Sequence, residues 1–172
     1  SVTATYLAAM PDITVPTRTG YTFNGYFDAT SSGKKYYGTD GKSANYWDKT
    51  SNTTLYAQWT ANKYTVTFNA NDGTGTMSNQ SFEYDETKPL TANAFTRKGY
   101  EFTGWNTQAN GSGDSYSDKE SVSNLSATDG ATVTLYAQWN QLSPTTVYIN
   151  PKTDWEPTLK IICDGEEVDI TP

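Results

Sequence analysis

The chain has 172 residues, room for one or two ordinary domains. Its net charge of -7, with no histidine, argues against a basic nucleic-acid stripe and excludes a histidine-based triad or metal set. A single cysteine, Cys163, excludes an internal disulfide, and no run of roughly 18 apolar residues offers a membrane span, so no membrane insertion is expected.

Hydrophobic residues make up only 35% of the chain, yet it holds 13 Tyr, 6 Phe and 5 Trp. Aromatic rings, each burying a large surface, must therefore supply most of the cores. From the start, Val2, Ala4 and Tyr6 alternate as a strand would, until Pro11 and Pro16 interrupt. Thr17-Arg18-Thr19-Gly20 leads into Tyr21-Thr22-Phe23, a strand with aromatic residues on one face, and Gly25 marks a turn or a close backbone approach. Ser31-Ser32-Gly33 and Thr39-Asp40-Gly41 have turn composition. The closing strand Leu55-Tyr56-Ala57-Gln58-Trp59 sets Leu55, Ala57 and Trp59 on one face and Tyr56 and Gln58 on the other. Thr60-Ala61-Asn62-Lys63 is a short linker.

Tyr64-Thr65-Val66-Thr67-Phe68-Asn69 is a strong strand pattern, followed by Asn71-Asp72-Gly73-Thr74-Gly75 as a hairpin turn. The grammar then returns. Thr96-Arg97-Lys98-Gly99-Tyr100-Glu101-Phe102 repeats the block at Gly20, Asn110-Gly111-Ser112-Gly113 and Asp129-Gly130 supply turns, and Thr54 to Trp59 reappears unchanged as Thr134 to Trp139. An identical hexapeptide at that separation marks an internal repeat. The chain divides into a first repeat module at 1–59, lacking its opening strand, a complete second module at 63–139, and a β-rich tail or start of another module at 140–172. In that tail, Leu159 to Ile162 and Val168 to Ile170 form a hairpin pattern about Asp164-Gly165. Thr146-Val147-Tyr148-Ile149-Asn150 resembles Thr65 to Asn69. It either opens a different module or completes the truncated first one by strand addition, within the chain or in strand exchange with another chain. With its first module opening midway, the chain is expected to be a piece of something longer.

These blocks, an opening strand like Tyr64 to Asn69, a Gly-Tyr-x-Phe-x-Gly-Trp segment at Gly99 to Trp105, and a closing Leu-Tyr-Ala-x-Trp, resemble the Listeria-Bacteroides repeat family, or internalin B type B-repeat. Tyr26 stands where the family usually has Trp. The resemblance implies a β-rich α+β fold of tandem small β-grasp-like, ubiquitin-like modules, mostly strand and turn with little helix. It implies no catalytic residues, and it implies neighbouring repeat modules as partners on extracellular bacterial proteins, secreted or cell-wall-attached.

No catalytic, cofactor or metal residue is expected. Asp85-Glu86 and Asp114 with Asp118 read as a solvated acidic face, and Asn71-Asp72-Gly73 as a turn, since the spacing of a calcium loop is missing. Aromatic residues shared by both copies, such as Tyr21, Phe23, Tyr100, Phe102, Trp59 and Trp139, are core candidates. The unshared Tyr36, Tyr37, Tyr46, Trp47 and Trp155 are the candidates for an exposed ligand-binding surface. The expected function is a non-catalytic stalk or spacer with a role in adhesion. The alternatives are a ligand-binding module for a glycan or host protein and an accessory region of a carbohydrate-active enzyme.

Overall fold

A computed structural model describes residues 1–143 and the backbone of 159–163 and 166–170. The described residues contain strands and turns and no helix. In chain order the strands are β1 (Tyr21–Phe27), β2 (Lys35–Tyr37), β3 (Tyr56–Ala61), β4 (Lys63–Asn69), β5 (Gln80–Glu83), β6 (Lys88–Pro89), β7 (Tyr100–Asn106), β8 (Ser115–Tyr116), β9 (Ser121–Val122), β10 (Ala131–Gln141), β11 (Leu159–Cys163) and β12 (Glu166–Ile170). β11 and β12 pair antiparallel, Ile161 opposite Val168, as the tail pattern predicts. Thr146 to Asn150 and Trp155 lie outside the described residues.

Two compact units emerge. One comprises Ser1–Thr67, Asn79–Thr91 and Lys119–Thr134; the other comprises Phe68–Ser78, Ala92–Asp118 and Leu135–Pro172. The first unit holds the three-stranded sheet β2-β1-β3, in which β1 is central and antiparallel to both neighbours. Its core gathers Met10, Tyr36 and Tyr37, with Ile13, Tyr26, Trp47 and Leu55 packed against them. Within the same unit Tyr64 and Phe82 stack at 5.4 Å on facing strands β4 and β5, and Leu90 and Val122 are buried nearby in sequence to β6 and β9. The second unit is centred on the buried indole of Trp105, ringed by Phe68, Phe95 and Phe102 with centroids 4.8 to 6.1 Å away.

The alternation expected of the closing strand is present. Leu135 and Ala137 are fully buried, while on the opposite face Tyr56, the counterpart of Tyr136, is exposed. β10 runs in a five-stranded sheet of order β5-β4-β10-β7-β8. The turn after β4 uses positive φ at Asn71 and Asp72 and closes through the Gly73 N–H to the Ala70 carbonyl at 3.0 Å, the geometry of a type I′ turn. Gly25 serves close approach, because a Cβ there would fall 2.3 Å from the Tyr37 carbonyl oxygen across the sheet.

One expectation changes. Tyr36 and Tyr37, set down as exposed ligand-binding candidates, are core residues at 0% and 2% exposure. β2 alternates too briefly to reveal a face, and both rings turn inward, Tyr36 onto Trp47 at 5.2 Å and Tyr37 toward Tyr26 at 6.2 Å.

Candidate functional site

The first repeat carries an open groove of about 1030 Å³, lined among others by Tyr6, Met10, Tyr26, Tyr37, Trp47 and Leu55. Of the four aromatic candidates it brings Tyr37 and Trp47 to one wall, places Tyr36 behind Trp47, and leaves Tyr46 outside at 66% exposure. The rim is charged. Lys34 pairs with Asp48 at 2.7 Å and Lys49 with Asp28 at 2.9 Å, while the Tyr36 hydroxyl donates to Asp48. The Lys34 ammonium, and then the Tyr36 hydroxyl, hold the Asp48 carboxyl down at a pKa of about 2. Among the described residues no three acidic or cysteine side chains converge as a metal site.

The groove has a structural origin. β3 is the edge of its sheet, whereas its counterpart β10 lies between β4 and β7. Leu55 and Ala57 are accordingly half-buried where Leu135 and Ala137 are fully buried.

A second constellation lies where the repeats meet, wholly inside the first unit. β3 ends at Ala61 and β4 begins at Lys63, so Asn62 alone separates them. Its backbone N–H donates to the Gly20 carbonyl at 2.9 Å, and its carbonyl accepts from the Tyr84 N–H at 2.8 Å. Its side-chain oxygen accepts from the Thr22 hydroxyl at 2.7 Å, and its side-chain amide donates to the Ala127 carbonyl at 2.7 Å. Gly20 and Thr22 belong to the first repeat, Tyr84 and Ala127 to the second.

Around this hub the Tyr84 ring seals Gly20, so close that a Cβ on Gly20 would fall 2.2 Å from it, and meets Tyr21 edge-on at 5.8 Å. The Tyr21 hydroxyl donates to Asp85, and the Arg18 guanidinium lies 3.6 Å from the centre of the Tyr21 ring. Asn124 clasps Asp85 twice, accepting from its backbone N–H and donating to its carboxylate. Those side-chain hydrogen bonds, Asn124 first and Tyr21 second, hold the Asp85 carboxyl below the usual carboxylate range, while the bond to Asp85 raises the Tyr21 phenol. Sequence reading passed over Asn62, Gly20 and Tyr84 as functional residues. The available signal was the brevity of the linker, which leaves a single residue between β3 and β4 to contact both repeats.

Two all-strand copies of one pattern, joined through a hydrogen-bonded residue and without an assembled catalytic constellation among the described residues, define the class: a tandem-repeat segment. The chain belongs to the Listeria-Bacteroides repeat family, whose domain pattern matches residues 1–58 and 64–138. It is 39% identical over 106 residues to internalin H of Listeria monocytogenes, covering 61% of this chain and 18% of that protein. It is 36% identical over 126 residues to a protein of Evansella cellulosilytica named as a Gly-rich membrane protein, covering 71% of this chain and 14% of that one. A second protein of that organism, also named a membrane protein, is 32% identical over 143 residues, covering 80% of this chain and 20% of its own length. The chain thus spans a fifth or less of these relatives. No solved structure matches it.

Proposed function

We propose that the two repeats form a non-catalytic, extracellular spacer of a bacterial surface or secreted protein, a stalk that presents a distal part at a fixed distance. The observation that carries this reading is Asn62, whose four engaged groups tie both repeats and leave no flexible linker between them. The membrane-protein and internalin names of the relatives support a surface setting, and adhesion would follow from what the stalk presents. The sheet order of the second repeat supports a β-grasp-like module. Numbering only the five strands of this sheet along the chain and leaving out the β6-β9 pair, β5-β4-β10-β7-β8 becomes 2-1-5-3-4, with first and last strands adjacent at the centre. Spin labels on Ser32 and Ser112, each replaced by cysteine in a Cys163→Ser background, test the stalk. A narrow inter-label distance distribution is expected, and one as broad as a flexible linker allows would sink the reading.

The open edge of β3 favours a second reading, in which the first repeat takes up an extended strand from a partner chain. A strand with the alternation of Tyr64-Thr65-Val66 would cover Leu55 and Ala57 as the second repeat covers Leu135 and Ala137. A synthetic peptide of residues 63–69 should then bind and perturb the β3 amide resonances in an NMR titration. Unchanged β3 resonances at saturating peptide would count against it.

A further inference from the structure

The joint at Asn62 has two halves, and each recurs once more, uncovered among the described residues. The inserted half is the turn Glu83–Glu86, closed by the Glu86 N–H to the Glu83 carbonyl at 3.1 Å with φ of 66° at Asp85. In the first repeat Thr5–Ala8 forms the same turn. The Ala8 N–H donates to the Thr5 carbonyl at 3.1 Å, φ at Leu7 is 56°, and Tyr6 stands where Tyr84 stands. Tyr6 and Leu7 are 54% and 63% exposed.

The receiving half is Gly20 with Arg18, Tyr21 and Asn62. Its counterpart in the second repeat is built to the same plan. Gly99 has φ of 76° against 75° at Gly20, the Leu142 N–H donates to the Gly99 carbonyl at 2.9 Å as Asn62 does to Gly20, and Arg97 lies 4.0 Å over the Tyr100 ring. What differs is the covering. Gly20 is buried under Tyr84, whereas Gly99 has nothing among the described residues within 4 Å of the Cβ position, and Leu142 is 46% exposed.

We propose that the socket at Gly99 receives the Tyr6–Leu7 turn of a second copy of this chain, so that copies join head to tail as the repeats do within the chain. A second copy is the fitting occupant because the same molecule presents the matching turn, exposed and with the tyrosine in register. The Tyr6 ring would lie on Gly99 against Tyr100, and the Tyr6 N–H would donate to the Leu142 carbonyl. Such a contact is heterologous, so it propagates instead of closing on a two-fold axis. Interactions of the internal joint are missing on both halves. Leu142 stands where Asn62 stands and lacks the side-chain amide that binds Thr22 and Ala127. Leu7 replaces Asp85, so no carboxylate meets the Tyr100 hydroxyl, and the association is weak. The proposal rests on the reading of the Asn62 joint as a stiff connection. Inter-label distances test that reading within a monomer, whereas association tests the proposal.

Sedimentation of the full chain over roughly 10 μM to 1 mM, the range of weak contacts, is the experiment. The parent should show a mass that climbs with concentration, and Tyr6→Ala should abolish the climb. Leu7→Asp, which places a carboxylate where Asp85 stands, should tighten association about fivefold or more, in line with hydrogen bonds to charged groups. Adding Tyr100→Phe should cancel that gain. Circular dichroism of each variant confirms that the fold persists. A parent and a Leu7→Asp variant that both stay monomeric throughout, as they would if the chain's own segment after Ser143 filled the socket, would overturn the proposal. So would association that Tyr6→Ala leaves unchanged.

Discussion

Tyr21 and Asp85 stand in different repeats and share a 2.8 Å hydrogen bond, phenol to carboxylate. The bond favours the protonated phenol and the ionised carboxylate together, which is why their pKa values move apart. Asn124 contributes more than Tyr21 to the depression at Asp85. Following the Asp85 carboxyl by NMR should therefore show its pKa rise in Tyr21→Phe and rise further in Asn124→Ala. Because the folded-state value is depressed, this contribution to the joint is complete above the ordinary carboxylate pKa and is lost as pH falls through the folded one. An Asp85 titration that ignores Tyr21→Phe would show that the two repeats do not meet there.

Gly20 and Gly99 offer a matched comparison, since both sit at nearly the same positive φ. Alanine at either must bear the left-handed strain of about 1–2 kcal/mol. At Gly20 the added methyl also strikes the Tyr84 ring at 2.2 Å, and at Gly99 it meets nothing among the described residues. Gly20→Ala should thus cost about 1–3 kcal/mol more than Gly99→Ala, the usual range for overpacking, in paired denaturant melts. Equal losses would mean that Tyr84 does not press on Gly20.

The repeat itself was legible because it lies in identity, the same six residues at Thr54 and Thr134, and in alternation, which placed Leu135 and Ala137 inward. The turn at Asn71-Asp72 was legible because few residues tolerate positive φ twice in succession. Burial on short strands was not. β2 has three residues, so Tyr36 and Tyr37 had no pattern to declare that both rings turn inward. Trp59 was expected as a core anchor, yet it is half-buried. Its counterpart Trp139 is half-buried too, with its indole N–H donating to the Ala70 carbonyl at 2.9 Å, so the closing tryptophan lies at the margin of the core in both repeats. The short linker at Thr60 to Lys63 was legible, but the partners of Asn62 were not, because contacts between copies leave no trace in the pattern within a copy.

Leu135 and Leu55 occupy the same position of the closing strand in different surroundings. Leu135→Ala empties a fully buried site and should cost about 2–5 kcal/mol, whereas Leu55→Ala, half-buried beside an open edge, should cost less than half as much. Urea unfolding of the two variants checks this. Equal costs would show that β3 is covered in solution, as strand addition would require.

Asp48 should govern part of the acid response of the first repeat. Its pKa of about 2, set by Lys34 and then by the Tyr36 hydroxyl, lies below the ordinary carboxylate value. The stabilisation this represents is complete above that ordinary value and disappears as pH falls toward 2. Asp48→Asn should lower the melting temperature at pH 7 and leave it nearly unchanged at pH 2, so that the two melting curves converge in acid. A constant gap between parent and variant from pH 7 to pH 2 would show that the Asp48 charge is not what the Lys34 and Tyr36 contacts recognise.

Asn62 gives the sharpest test of stiffness, because its side chain can be removed while its backbone bonds stay. Asn62→Ala deletes the hydrogen bonds to Thr22 and Ala127 but keeps those to Gly20 and Tyr84. At about 0.5–1.5 kcal/mol for each bond, the loss should be about 1–3 kcal/mol in urea unfolding. The remaining backbone bonds and the Tyr84 ring on Gly20 should still hold the repeats together, so the distance distribution between labels on Ser32 and Ser112 should widen without becoming that of a flexible chain. Pairing Asn62→Ala with Gly20→Ala attacks the joint from both sides. Because the two residues share Tyr84 as a neighbour, their effects should couple instead of adding. Strict additivity in a double-mutant cycle would mean that Asn62 caps β4 locally and that Tyr84 alone sets the angle between the repeats.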